Sequence, residues 1–194
     1  MRTSAKRAVA LPLAALGAVA LTGVVATSAQ AAETVSGSVT LTVNASFLLQ
    51  LAQHGIGFVP QDYTTLSYAN GAASVTYAET AGDAEISTYS GTESYSGAIL
   101  GFDLKTGQTV DLNTLIFDLG GTTFYGESSS SGGEVPLLDL AGAQNGYLNG
   151  TSETYSATQL VLDPAGADYL NSALHTTAFV AGTAVGSFTA VWVD

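Results

Sequence analysis

The chain has 194 residues, 4 Lys or Arg against 16 Asp or Glu, a formal net charge of −12, and no cysteine. So acidic a protein excludes nucleic acid and anionic lipid as partners, because both are bound by basic side chains that neutralise phosphate. The missing thiol excludes a disulfide frame, a thiolate metal centre and a cysteine nucleophile.

The first segment has the three parts of a secretory signal peptide. Arg2, Lys6 and Arg7 form a basic start, Ala8 to Ala26 is almost entirely Ala, Leu, Val and Gly, and Ala29-Gln30-Ala31 supplies the small residues of a cleavage site. The run approaches the roughly 18 residues that can span a bilayer. Its small side chains and the site behind it favour cleavage after Ala31, with residues 32–194 forming one domain and no membrane span left. Lys105 is then the one basic residue among sixteen acids. With no sorting motif in Val191-Trp192-Val193-Asp194, the expected location is extracellular, secreted or envelope-associated.

Beyond that segment, short runs rich in Thr, Val, Tyr and Phe alternate with Gly pairs and Ser clusters, as in sandwiches and barrels. Val35 to Val43 is the first strand, with Val35, Val39, Leu41 and Val43 on one face. Further strands are expected at Thr64–Ala69, Ala72–Ala78, Ala84–Tyr89, Tyr95–Leu104, Thr109–Leu119, Thr122–Glu127, Val135–Leu140, Ser156–Leu162 and Ala184–Val193. Short connections imply antiparallel pairing. Glu127 to Glu134, with four serines and two glycines, reads as a flexible loop.

Two stretches have helical spacing instead, and they resemble one another. Leu41-Thr42-Val43 leads through Asn44 to a helix Ala45–Gln53, then His54 and Phe58-Val59. Leu160-Val161-Leu162 leads through Asp163-Pro164 to a helix Ala165–Leu174, then His175 and Phe179-Val180. Asn44 and Asp163 suit the helix N-cap, and Pro164 the first helical position. The expected fold is mainly β, an antiparallel β-sandwich-like domain with two short helices in two strand-helix-strand units.

Few residues point to chemistry. His54 and His175 are the only histidines. They read either as a metal or haem ligand pair or, more simply, as cations at helix C-termini. Asp103, Asp111, Asp118, Asp139 and Asp163 recur beside apolar neighbours, which places them on solvated strand faces or gathers several into a calcium site. Carboxylates alone could serve an envelope hydrolase, but no pair is singled out, and no Gly-x-Ser-x-Gly elbow or phosphate loop occurs. The serines Ser128 to Ser131 read as loop residues. Asn44-Ala45-Ser46 and Asn149-Gly150-Thr151 are too short to carry meaning. The nine tyrosines, densest from Tyr63 to Tyr95, suit a binding surface and plain strand filling equally.

From Tyr95 onward the order of features resembles the haem-transport-associated (HtaA-type) domain of secreted and envelope-bound actinobacterial proteins, and also small uncharacterised secreted proteins of the same bacteria. The resemblance rests on Ser96-Gly97 opening a strand, Ile116-Phe117-Asp118-Leu119 before Gly120-Gly121, Val135-Pro136-Leu137-Leu138-Asp139-Leu140, the strand and helix from Leu160 to Leu174, and faintly Ser46-Phe47. It implies a β-rich module that binds haem through a tyrosine near the helix after the first strand. Here Leu51 stands about where that tyrosine is wanted, and Ala98-Ile99-Leu100-Gly101 replaces the family's histidine. The resemblance therefore carries architecture, with His54 and Tyr63 as fallback ligands if haem binds. The reading is a non-catalytic binding or surface module with no assigned cofactor, for an unidentified small ligand or envelope component. A haem-binding module, a carboxylate hydrolase and a self-associating structural protein are the alternatives, and calcium is the other candidate cofactor.

Overall fold

A computed structural model describes residues 37–61, 64–69, 72–129 and 132–193. The signal segment and Tyr63 lie outside the described residues. Eleven strands and two helices follow in order: β1 Ser38–Val43, α1 Ala45–His54, β2 Ile56–Gln61, β3 Thr65–Ala69, β4 Ala72–Gly82, β5 Thr92–Ser96 and β6 Ala98–Asp103. The chain continues with β7 Thr109–Asp118, β8 Thr123–Ser128, β9 Glu134–Asn149, β10 Ser152–Leu162, α2 Pro164–Leu174 and β11 Ala184–Val193.

The sandwich expectation is corrected to a barrel. Eight strands run β7-β5-β4-β1-β11-β10-β9-β8, and β8 pairs back onto β7, so the sheet closes on itself with every pairing antiparallel. Inward and outward residues alternate along a strand in both architectures, which is why alternation alone could not separate them.

At one end the wall branches. β7 pairs with β5 through Leu115–Asp118 but with β6 through Thr109–Leu112. The changeover falls at Thr114, whose φ of 32° accompanies a bulge against β8. On the partner side Gly97, at φ 131°, ends β5 and starts β6 where one strand Tyr95–Leu104 was expected. A side chain rarely tolerates that φ, so glycine makes the turn-off. β6 carries β2 on its far edge, while β4 carries β3. Among the described residues β2 and β3 do not pair with each other, although they follow one another in the chain. The wall between β4 and β7 is therefore split at this end, with β3 on one lip and β2 on the other. Pro60, which has no N–H, sits in β2 opposite Ile99, the edge-strand position where proline is tolerated.

The opposite end is plugged. Residues 83–91, expected partly as a strand, fold as a turn closed by the bridge Glu85–Ser90. Their backbone bonds go inward. Glu93 accepts from the Ala84 N–H at 3.0 Å, Glu153 accepts from the Ile86 N–H at 2.7 Å, and the Trp192 indole donates to the Ala84 carbonyl at 2.8 Å. Below them Phe117, Phe124 and Phe188 pack with centroids 4.7 to 5.4 Å apart, together with Tyr95 and Tyr155.

The helices close the branched end, where a second core gathers Phe47 and Leu51 of α1 with Leu170 and Leu174 of α2. Both helices form for local reasons. Asp163 accepts from the Ala165 and Gly166 N–H groups ahead of Pro164, while Gly55 at φ 84° and His175 at φ 53° take the left-handed turn that ends each helix. Asn44 caps differently from expectation: its side chain makes no cap bond, and its own N–H donates to the Val185 carbonyl at 2.8 Å. The two strand-helix units meet through Phe58 and Phe179, the repeat's equivalent residues, whose rings stack edge to face at 6.1 Å.

Candidate binding cavity

The branched end encloses a cavity of about 280 Å3. Its floor is the barrel interior: Leu41 and Val43 of β1, and Ala73, Val75 and Tyr77 of β4, which share one face of their strands. Phe47 and Leu48 of α1, Leu170 of α2 and Phe179 roof it. Pro60 of β2 and Leu66 and Tyr68 of β3 stand at the split, on its two lips. Leu66 and Tyr68 are 53 % and 60 % exposed, so the split presents apolar surface to solvent as well as to the cavity.

Every described lining residue is aliphatic or aromatic, and the only side-chain oxygens among them are the hydroxyls of Tyr68 and Tyr77. Tyr77 is buried, and its hydroxyl has no hydrogen-bond partner among the described residues. Burial holds its pKa far above the usual phenol value, so it stays a neutral phenol.

The residues singled out from sequence fall elsewhere. His54 ends α1, exposed, and His175 occupies the left-handed position after α2, also exposed; neither lines the cavity. Leu51, the position where the family would want a tyrosine, is 1 % exposed and packed in the core beneath α1 rather than lining the cavity. The tyrosine set divides: Tyr68 and Tyr77 line the cavity, Tyr95 and Tyr155 fill the barrel, and Tyr89 packs on Tyr155 at 6.2 Å. The alternation Ala73, Val75, Tyr77 was the signal available for the cavity floor; its roof depends on contacts distant in the chain.

Two of the aspartates are occupied locally. Asp103, expected on a solvated face, is buried and accepts from the Lys105 N–H at 2.7 Å, and Asp118 accepts from the Gly121 N–H at 2.9 Å. Ser128, expected in a solvated loop, is buried against the Tyr169 hydroxyl. Among the described residues no group of three or more His, Asp or Glu side chains comes together in a metal-binding arrangement. No described helix is long and apolar enough to cross a membrane.

One carboxyl pair has a testable consequence. Burial, reinforced by neighbouring Asp163 and opposed by the Thr123 hydroxyl that donates to it at 3.0 Å, holds Asp139 above the ordinary carboxylate range. A carboxyl raised in the folded state leaves stability intact below its unfolded pKa and takes stability away as pH rises through its folded pKa. Asp139→Asn is expected to raise Tm at neutral pH and to leave it unchanged in acid below the ordinary carboxylate range. Thermal melts at the two pH values check this.

No family model matches the sequence, and no curated protein matches it. Solved structures do. The chain is similar to the C-terminal domain of HtaA from Corynebacterium glutamicum, with TM-score 0.55 and 14 % identity over 82 % of this chain and 97 % of that one. It is also similar to the heme binding protein HtaB of the same organism, with TM-score 0.51 and 11 % identity over 81 % of this chain and 92 % of that one. The distant HtaA-type resemblance read from the sequence thus holds for the fold. Among the described residues the cavity offers haem only phenol ligands. Iron needs an axial ligand, and the described lining residues that could supply one are Tyr68, at the mouth, and Tyr77, which is buried.

Proposed function

We propose that this protein is a secreted or envelope-associated, non-catalytic binding module, and that the cavity at the branched end of the barrel is its binding site. The observation that carries this reading is a concave, almost wholly apolar space with an opening through the wall. Small-molecule sites have this form, and at about 280 Å3 the cavity stands near the lower end of their range of roughly 300 to 1,000 Å3. Secretion is supported by the signal segment, and the binding role by the shared fold with a heme binding protein.

The test uses a neutral apolar fluorophore, N-phenyl-1-naphthylamine, titrated into the protein. Saturable one-to-one enhancement is expected, weakened about tenfold or more by Ala73→Leu, which fills the floor. Unfolding curves of that variant show whether the barrel is intact. Absence of saturable binding, or binding indifferent to Ala73→Leu in a folded variant, rejects the cavity as the site.

Haem is the second reading, favoured by the likeness to HtaB. Its ligand among the described lining residues would be Tyr68, in place of His54, which lies outside the cavity. A haemin titration with Tyr68→Phe and His54→Ala decides it: a Soret shift lost in Tyr68→Phe alone supports this reading, and no saturable shift in the parent protein rejects it.

A further inference from the structure

We propose that the cavity takes the tail of an uncharged, single-chain aliphatic molecule, which enters between β2 and β3 and leaves a neutral hydrogen-bonding head at the strand edges. This rests on the reading of the cavity as the binding site and adds the class of ligand.

Charge is the first argument. An anionic ligand would need a cation, and none of the described lining residues carries one. Lys105 is the single basic residue among those described, and it stands against Gly55 beyond α1. The chain as a whole carries a formal net charge of −12, so an approaching carboxylate or phosphate meets net like charge. A cationic ligand would find no carboxylate among the described lining residues to pair with inside the cavity.

Shape is the second. The space of about 280 Å3 is near the lower end of ligand cavities, which favours a slim tail over a bulky one. The described walls are mainly aliphatic, with eight Leu and three Val beside three Phe and two Tyr, and the branched side chains make dispersion contacts with methylenes in any rotation about the chain axis.

The portal is the third. β3 pairs with β4 alone and β2 with β6 alone among the described residues, so both lips present backbone N–H and C=O groups that no strand occupies. Those groups can bond a hydroxyl, ester or amide without a counter-ion. The exposed apolar side chains of Leu66 and Tyr68 beside them shield the first carbons of the tail.

The experiment displaces N-phenyl-1-naphthylamine with a series from hexanol to hexadecanol and with the matching carboxylates above their pKa. Displacement is expected to tighten about fourfold per added methylene and to level off once the tail outgrows the cavity. Each carboxylate should bind about tenfold more weakly than its alcohol. Leu48→Trp, at the half-buried roof, should weaken every member of the series. Displacement independent of chain length, or carboxylates equal to alcohols, overturns the ligand class while the fluorophore's own binding leaves the cavity reading standing. A fluorophore that does not bind the parent protein overturns both.

Discussion

Trp192→Ala is expected to destabilise the protein by about 3–5 kcal/mol, the range for emptying a large aromatic site in a packed core. Trp192 is 1 % exposed and lies opposite Glu153 in the β10–β11 ladder. Its indole N–H is one of three bonds that bring the backbone of residues 83–91 down onto the barrel end, beside those of Glu93 and Glu153. Removing the ring opens a void beside a turn whose polar groups point inward, so the lost packing is joined by the cost of an orphaned Ala84 carbonyl. Against a total of about 5–15 kcal/mol for a typical domain, such a loss leaves little margin. Urea unfolding followed by far-ultraviolet circular dichroism measures it. A Trp192→Ala variant within about 1 kcal/mol of the parent would mean that the turn is not anchored as described. Trp192→Phe separates the terms, because it keeps most of the ring and gives up the hydrogen bond.

The second large effect concerns α1. Leu51→Ala should cost about 2–5 kcal/mol, since the side chain is 1 % exposed and interlocks with the core shared with α2. The loss falls on the element that roofs the cavity, so fluorophore affinity should drop with stability, although Leu51 itself does not line the space. Leu51→Tyr tests the site by addition. Where the resemblance wants a ligand this chain has a core residue, so a phenol there overpacks the helix and costs about 1–3 kcal/mol without creating a haem site. A Leu51→Tyr variant that folds as well as the parent and gains a Soret-shifting haem complex would show that α1 presents position 51 to the cavity after all.

Much of this architecture was legible locally. Both helices were readable because their ends are written in adjacent residues, Asp163-Pro164 at the start of α2 and Gly55 after α1. The likeness of the two units extends through strand and helix and then stops: Phe58 lies in β2, Phe179 lies in an irregular stretch before β11, and the two rings meet. Closure was not legible, because it depends on β7 meeting β8 on one edge and both β5 and β6 on the other, and no alternation within one strand records its neighbours. The 83–91 segment was misread as a strand for a related reason: it alternates, but buried carboxylates distant in sequence take its N–H groups. β2 escaped notice because Gly57 and Pro60 interrupt its pattern. The cavity needed both helices, the barrel floor and the split wall in place at once, and its only sequence trace was the face shared by Ala73, Val75 and Tyr77.

Pro60 has one more consequence. An unpaired strand edge beside exposed Leu66 and Tyr68 is a template on which a second copy could extend the sheet. In β2 the ring replaces the N–H that would otherwise point away from β6, so a ladder begun on that lip stops at residue 60. The wall can stay open for a small molecule without inviting polymerisation there, and replacing this one proline would test whether the opening is tolerated only because its edge cannot propagate.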